Sequence, residues 1–306
     1  MMVRPVHFRY NEQTAGNNYF QEEDLKHSEK QIQDTAQKEF DNFVATLKLH
    51  EINVIVVEDS EQSDTPDSVF PNNWVSFHDD GRVGLYPMYA CNRRVERRRD
   101  ILDTLIQKYG YHISSIVDFS IHEVRDTFLE GTGSMILDRQ NKIAYAALSM
   151  RTDWEVLREF CDQFKYTPVV FHANQTVDGL RLPIYHTNVM MSVGEEFAII
   201  CLDAIDDGSE RTKVVESLEK TGKEIIDITE EQESNFAGNM LQVHSLDGKS
   251  YLVMSGAAYK SLHQDQIDRI ERYSPIISSP LQTIEKLGGG SARCMMAEVF
   301  LPKIMS

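Results

Sequence analysis

The 306-residue sequence predicts an α/β fold made of five repeated hairpin–helix–strand units that close into a ring. Three observations carry that reading. Asn73, Glu130, His186, Asn239 and Cys294 follow one another at intervals of 57, 56, 53 and 55 residues. The first four of these each open two apolar runs around a turn-forming tetrapeptide. Amphipathic helical patterns fill the stretches between the hairpins.

Taken in chain order, residues 3–8 read as a first strand. The hairpin turns are His78-Asp79-Asp80-Gly81, Asp138-Arg139-Gln140-Asn141, Val193-Gly194-Glu195-Glu196 and Ser245-Leu246-Asp247-Gly248. Residues 94–109 carry Val95, Ile101, Leu102, Leu105 and Ile106 among charges and predict a helix. Residues 153–164, 211–221 and 264–273 predict the others. Short β runs follow at 112–118, 167–171 and 224–228, and residues 294–301 supply the last end of the ring. Strand starts in such a ring converge on a central channel, where the five evenly spaced residues would meet.

Composition fits one enzyme-sized unit, and residues 1–306 are expected to form a single catalytic domain. A chain of this length buries roughly 75% of its unfolded surface, and no Pro/Gly/Ser-rich linker divides it. The net charge of −17 argues against nucleic acid or an anionic membrane surface as partner. Met1-Met2-Val3-Arg4-Pro5 leads straight into strand-like sequence, so no leader peptide is expected. The four cysteines have no short paired spacing, which points to reduced thiols and a cytoplasmic setting. No CxxC, HExxH or carboxylate cluster predicts a metal, and no phosphate-binding glycine motif predicts a nucleotide cofactor.

The chemistry concentrates at Gly288-Gly289-Gly290-Ser291-Ala292-Arg293-Cys294. Three glycines permit positive φ and close backbone approach, then deliver one cysteine into an apolar segment. Cys161 and Cys201, set in apolar patterns, read as inert small hydrophobes, and Cys91 as structural.

The motifs Leu129-Glu130-Gly131, Ser149-Met150-Arg151-Thr152, Tyr185-His186-Thr187-Asn188 and Gly288 to Met295 resemble, in order, those of the guanidino-group-modifying superfamily. The resemblance covers essentially the whole chain and is nearest to the citrulline-utilization hydrolases (citrulline ureidases). It implies the pentein fold, a five-bladed α/β propeller around a central active-site channel. It also implies roles: Cys294 as nucleophile, His186 as general acid/base, and Glu130 as the carboxylate that holds substrate nitrogen. Arg151 and Arg94 resemble the arginines that grip the substrate carboxylate, and Asp67 and Asn73 fall in the guanidinium-binding stretch. Superfamily members are often dimers, which leaves a homodimer open for this chain.

Two departures bear on substrate. Asn72-Asn73 stands where the dimethylarginine hydrolases have Glu-Asp, and Asn188 where arginine deiminases have a second carboxylate. A buried guanidinium needs counter-charge, whereas a ureido group is neutral and presents both an acceptor and donors. The expected reaction is therefore hydrolysis of L-citrulline to L-ornithine, carbon dioxide and ammonia through an S-carbamoyl enzyme. In that scheme His186 as imidazolium, with Arg293 or backbone N–H groups, stabilises the thiolate. Asn73, Asn188 and Asn239 are the side chains expected around the oxyanion. The alternatives are a guanidino-group hydrolase or amidinotransferase acting on arginine or methylarginine, and a non-catalytic pentein binding protein. Residues 11–20 and 59–67 are the candidate segments for covering the pocket.

Overall fold

The computed structural model describes residues 1–304. Four three-stranded sheets share one topology, an antiparallel hairpin whose second strand pairs in parallel with a third. In the first, Val75–Phe77 pairs with Arg82–Leu85, which pairs with Ser115–Asp118. Ile136–Asp138, Ile143–Ala147 and Thr167–Phe171 repeat the pattern. So do Met191–Val193, Phe197–Ile200 and Glu224–Asp227, and then Leu241–His244, Ser250–Ser255 and Ile276–Ser279. A parallel step needs a crossover, and in each unit a helix supplies it. These helices are Arg99–Gln107, Trp154–Phe164, Gly208–Lys220 and Gln264–Glu271.

The fifth unit uses both ends of the chain. Met2–Arg4 pairs in parallel with Val56–Glu58. On its other side, Met1 donates to the Ala297 carbonyl at 2.8 Å, and the Ala297 N–H returns a 2.9 Å bond to Met1. The five-unit α/β propeller predicted from the repeat is thereby closed.

Local chemistry explains the element boundaries. The Asp153 carboxylate caps the second unit's helix by accepting the Glu155 N–H at 2.8 Å. Val156, Leu157, Phe160, Cys161 and Phe164 form its buried stripe, and Lys165 ends it at φ 63°. The third helix begins three residues earlier than the periodicity predicts, because Asp207 caps the N–H groups of Ser209 and Glu210. The helix expected over 94–109 is split into a 3₁₀ segment, Cys91–Glu96, and the α-helix Arg99–Gln107. The first strand stops at Arg4, since Pro5 brings no N–H to a ladder. Residues 294–301 are held by the closing contact with Met1 rather than in a strand ladder.

Two of the elements outside the sequence reading are substantial. Glu29–Leu49 is the longest helix, entered through a capping box between Ser28 and Gln31. Its buried face of Ile32, Ala36, Phe40, Phe43, Val44 and Leu47 packs with Phe70, Ile284, Leu287 and Met295. The second is a hairpin of Asn174–Val177 and Leu180–Pro183, turned by Asp178 and Gly179, both at positive φ. Among the described residues, no helix is long and apolar enough to cross a membrane.

Short turns precede the inner strands and bring the repeat residues together. Gly131–Ser134 packs between Pro71–Asn73 and Thr187–Met190. Glycine is required at 131, where φ is +50° and a Cβ would overlap the Asn72 carbonyl.

Candidate active site

Cys294 follows the helix Gln282–Gly288, which ends on Gly289 at φ 62°. A side chain on Gly289 would overlap the Asn18 amide, so the left-handed cap and the covering segment both demand glycine. Ser291 accepts the Cys294 N–H at 3.0 Å, and its hydroxyl donates to Glu285 at 2.6 Å. The thiol is buried, 3% exposed. Its sulfur accepts two side-chain N–H bonds, from Asn188 Nδ2 and Asn239 Nδ2, each at 3.2 Å. Asn239 is oriented for this, because its Oδ1 already accepts the Arg293 N–H at 3.0 Å. The other buried cysteines sit among apolar groups, and burial pushes the Cys161 thiol up to about 12. Cys91 is exposed.

Glu130 and His186 form the second part. His186 Nε2 lies 2.7 Å from Glu130 Oε2, and both residues are buried. A carboxylate only accepts, so Nε2 carries the proton and Nδ1 keeps its lone pair. Glu130 Oε1 accepts the Tyr89 N–H at 2.9 Å, and Arg151 stands 3.5 Å from Oε2. Burial pushes Glu130 up, but Arg151, His186 and Arg93 together bring it well below the ordinary carboxylate range. Burial outweighs Glu130 at His186 and lowers it to about 4, so the imidazole is neutral near pH 7. An imidazolium at this position therefore arises only when His186 takes up a further proton. The Arg293 guanidinium also turns away from the sulfur, donating to the Met296 carbonyl and Glu298 at 2.9 and 3.1 Å. The two asparagine amides are what contact Cys294.

The third part replaces one expected residue with its neighbour. Arg94 is half-buried, bonded to the Met88 carbonyl at 3.1 Å and 3.5 Å from Glu123, so its guanidinium is held by groups outside the site. Arg93 is the buried one. It is paired with Glu96 at 2.9 Å through both Nε and Nη2, lies 3.8 Å from Asp67, and donates from Nη1 to Asn73 Oδ1 at 2.8 Å. A 3₁₀ segment has three residues per turn, which puts Arg93 and Glu96 on one face and Arg94 on another. The Arg-x-x-Glu spacing was the signal that distinguishes the two arginines.

Residues 11–20 cover this assembly. Asn11 donates to Asp67 Oδ2 at 2.7 Å, and Asn18 donates to the Gly289 carbonyl at 3.2 Å. Arg151 donates to Asn17 Oδ1 through Nε at 3.0 Å and to the Thr14 carbonyl at 3.0 Å. Phe20 packs on Tyr185 and Phe236. Arg151 thus lies beside Glu130 with its guanidinium engaged by this segment. The 59–67 loop is tied to itself through Thr65 and Asp59 at 2.7 Å.

Several buried polar atoms around this cluster have no protein partner: Asp67 Oδ1, both side-chain atoms of Asn72, Asn73 Nδ2 and Asn188 Oδ1. A Cβ on Gly133 would overlap Asn73 Nδ2 and come within 2.8 Å of His186 Nδ1, so both side chains pack closely on Gly133 and only glycine fits there. Buried polar groups are ordinarily satisfied, so these unpartnered donors and acceptors mark the candidate site.

A family model described as N,N dimethylarginine dimethylhydrolase, eukaryotic, matches residues 4–301. No curated protein sequence matches the chain. Among solved structures, the chain resembles apo ArgZ, an arginine dihydrolase from the ornithine–ammonia cycle in cyanobacteria. The TM-score is 0.70 at 18% identity, covering 99% of this chain and 40% of that one. AgrE in complex with ornithine and NAD+ gives 0.71 at 20% identity, over 98% of this chain and 39% of AgrE. A dimethylarginine dimethylaminohydrolase variant in adduct with S-methyl-L-thiocitrulline gives 0.59 at 13% identity, over 96% of both chains. The chain thus spans about two fifths of the ArgZ and AgrE chains, and these likenesses establish the fold.

Proposed function

Because the chain belongs to the N,N dimethylarginine dimethylhydrolase family, within the pentein guanidino-group-modifying superfamily, we propose that residues 1–306 form one catalytic unit. It hydrolyses a C–N bond at the terminal carbon of an arginine-type side chain, with Cys294 as nucleophile. Within that chemistry, we propose L-citrulline as the substrate. The observation that carries it is the polarity of the unpartnered amides: Asn73 offers a donor at Nδ2 and Asn188 an acceptor at Oδ1. A ureido group satisfies both, through its carbonyl oxygen and its N–H groups. A guanidinium has only donors and would leave the Asn73 N–H buried and unpaired.

In this mechanism neutral His186 takes the Cys294 proton at Nδ1, and the thiolate is held by the Asn188 and Asn239 amides. Sulfur attacks the ureido carbon, and the carbonyl electrons move onto an oxyanion facing the Asn73 donor. His186 returns its proton to the nitrogen of the ornithine leaving group as the C–N bond breaks. It then takes a proton from water, which cleaves the S-carbamoyl enzyme. Carbamate leaves and decomposes to carbon dioxide and ammonia. Glu130 keeps the Nε2 proton in place throughout.

A second reading is favoured by one atom and by the neighbours' names. Asp67 Oδ1 is a buried, unpartnered carboxylate oxygen suited to a guanidinium, and ArgZ is named for action on arginine. Incubating the purified protein with L-citrulline, L-arginine and dimethyl-L-arginine separates the two. Ornithine and ammonia from citrulline alone are expected; citrulline formed from arginine or methylarginine would establish the second reading instead.

A further inference from the structure

We propose that the far end of the channel is an oxyanion-binding site, in which Arg139, Arg293 and the Ser192 hydroxyl hold a small monovalent carboxylate or bicarbonate behind the nucleophile. It holds whichever substrate Cys294 attacks.

The inner strands Ile136–Asp138, Met191–Val193 and Leu241–His244 follow the turns of Glu130, His186 and Asn239 and run away from the site. Their far ends enclose a cavity of about 150 Å³, roughly tenfold the space one water needs. Arg293 joins the two ends of the channel. Its N–H donates to Asn239 Oδ1 beside Cys294, whereas its side chain lines the cavity together with Arg139.

The charges at this end do not balance. Glu298 is shared by both guanidiniums, with Oε2 3.1 Å from Arg293 and Oε1 3.6 Å from Arg139. Asp138 is already paired with Lys223 at 3.1 Å. Glu195 stands at the rim, where its side chain is 58% exposed and screened by water, 3.5 Å from His244. Two cations thus face one inner carboxylate, and an arginine keeps its charge in a protein. Burial lowers the Arg293 pKa against the pull of Glu298, and Arg139 adds to the fall. A charge held out of water without a counter-charge is costly, and a monovalent anion supplies the missing one.

Two donors are also unspent there. Ser192 is 6% exposed, and its Oγ has no protein partner. Arg139 Nε likewise lacks a hydrogen bond, since 3.6 Å to Glu298 is too long for one. Arg139 is held in place by the Phe300 ring, 4.1 Å away, and by the Phe77 carbonyl at 3.4 Å. Guanidinium N–H groups beside a hydroxyl suit a planar oxyanion.

The test titrates the intact protein with sodium bicarbonate and, separately, sodium acetate, against sodium chloride at equal ionic strength and one mildly alkaline pH. Melting temperature and calorimetric heats are read. At least one oxyanion should bind saturably and raise Tm by about 2–4 °C above chloride. The relative Kd values then identify whether the natural occupant is inorganic or organic. Arg139→Met leaves Glu298 and Arg293 as a balanced pair, so the protein should fold and lose the increment. Ser192→Ala should raise Kd by about tenfold, the worth of one charge-assisted hydrogen bond. Glu298→Gln removes the competing carboxylate and should lower Kd by about tenfold or more. That opposite sign separates a built site from general salt stabilisation. Chloride matching the oxyanions, or binding left unchanged by Ser192→Ala and Glu298→Gln, would overturn the proposal. These two near-isosteric variants decide the matter even where Arg139→Met melts too early to assay.

Discussion

The two walls of the site are made of different chemistry. On the side of the third and fourth units, Asn188 and Asn239 touch Cys294 with neutral amides. On the side of the first and second units, Asp67, Arg93, Glu96, Glu130 and Arg151 are all buried and held largely by one another. The difference teaches where charge is tolerated. Buried ions persist where each has an opposite partner and further hydrogen bonds. The wall that touches Cys294 does so with two neutral amides, whereas the charged wall keeps one carboxylate oxygen, Asp67 Oδ1, without a protein partner.

The largest expected effect lies at the boundary between the walls. Cys294→Ala should lower kcat by at least about 10⁴-fold with little change in melting temperature, since loss of a nucleophile commonly costs that or more. A variant that kept turnover would remove the neutral wall's catalytic role. Glu130→Gln breaks the charged wall. It leaves Arg151 buried beside a neutral amide, which should cost about 3–5 kcal/mol in denaturant unfolding. Equal destabilisation by Asn188→Leu would erase the contrast between the walls.

The pH response of stability comes next. His186 is lowered to about 4 in the fold from an ordinary value of 6.5. Its contribution is complete above pH 6.5, where both states are neutral. Between about 6.5 and 4 the unfolded chain takes up a proton that the folded protein does not, so stability falls by about 3 kcal/mol as pH drops through that window. Glu130, also depressed, continues the loss at lower pH. Denaturation curves of His186→Gln should lack the first part of this fall.

Two smaller effects sharpen the comparison. Asn188→Asp places a charge on the neutral wall and should raise the arginine-to-citrulline kcat/KM ratio by about tenfold, a typical worth for one matched polar contact. A gain on citrulline instead would contradict the ureido reading. Arg94→Ala, outside both walls, should change stability by less than about 0.5 kcal/mol and leave kcat/KM within about twofold.

The repeat made most of the architecture legible. Hairpin turns, all four crossover helices (the first of them five residues shorter at its start) and the convergence of Asn73, Glu130, His186, Asn239 and Cys294 follow from spacing and periodicity. Glu29–Leu49 was legible too, through Ser28, Gln31 and its stripe of Ile32, Ala36, Phe40 and Phe43, but it lies outside the repeat that organised the reading. Arg93 and Arg94 were harder. The Arg-x-x-Glu spacing sets Arg93 apart from Arg94, but it gains meaning only once residues 91–96 form a 3₁₀ turn that faces Arg93 to Glu96 and Arg94 to Glu123.

The sequence by itself determined the residue types at the strand starts, because period and turn chemistry are local properties. Tertiary structure alone decided the state of each. Neutral His186 follows from burial outweighing Glu130, the turning away of Arg293 from its pairing with Glu298, and the direction of the Asn73 amide from Arg93. Ionisation and amide orientation depend on desolvation and on partners that folding brings together: Glu298 stands 5 residues from Arg293, Arg93 20 from Asn73 and Glu130 56 from His186.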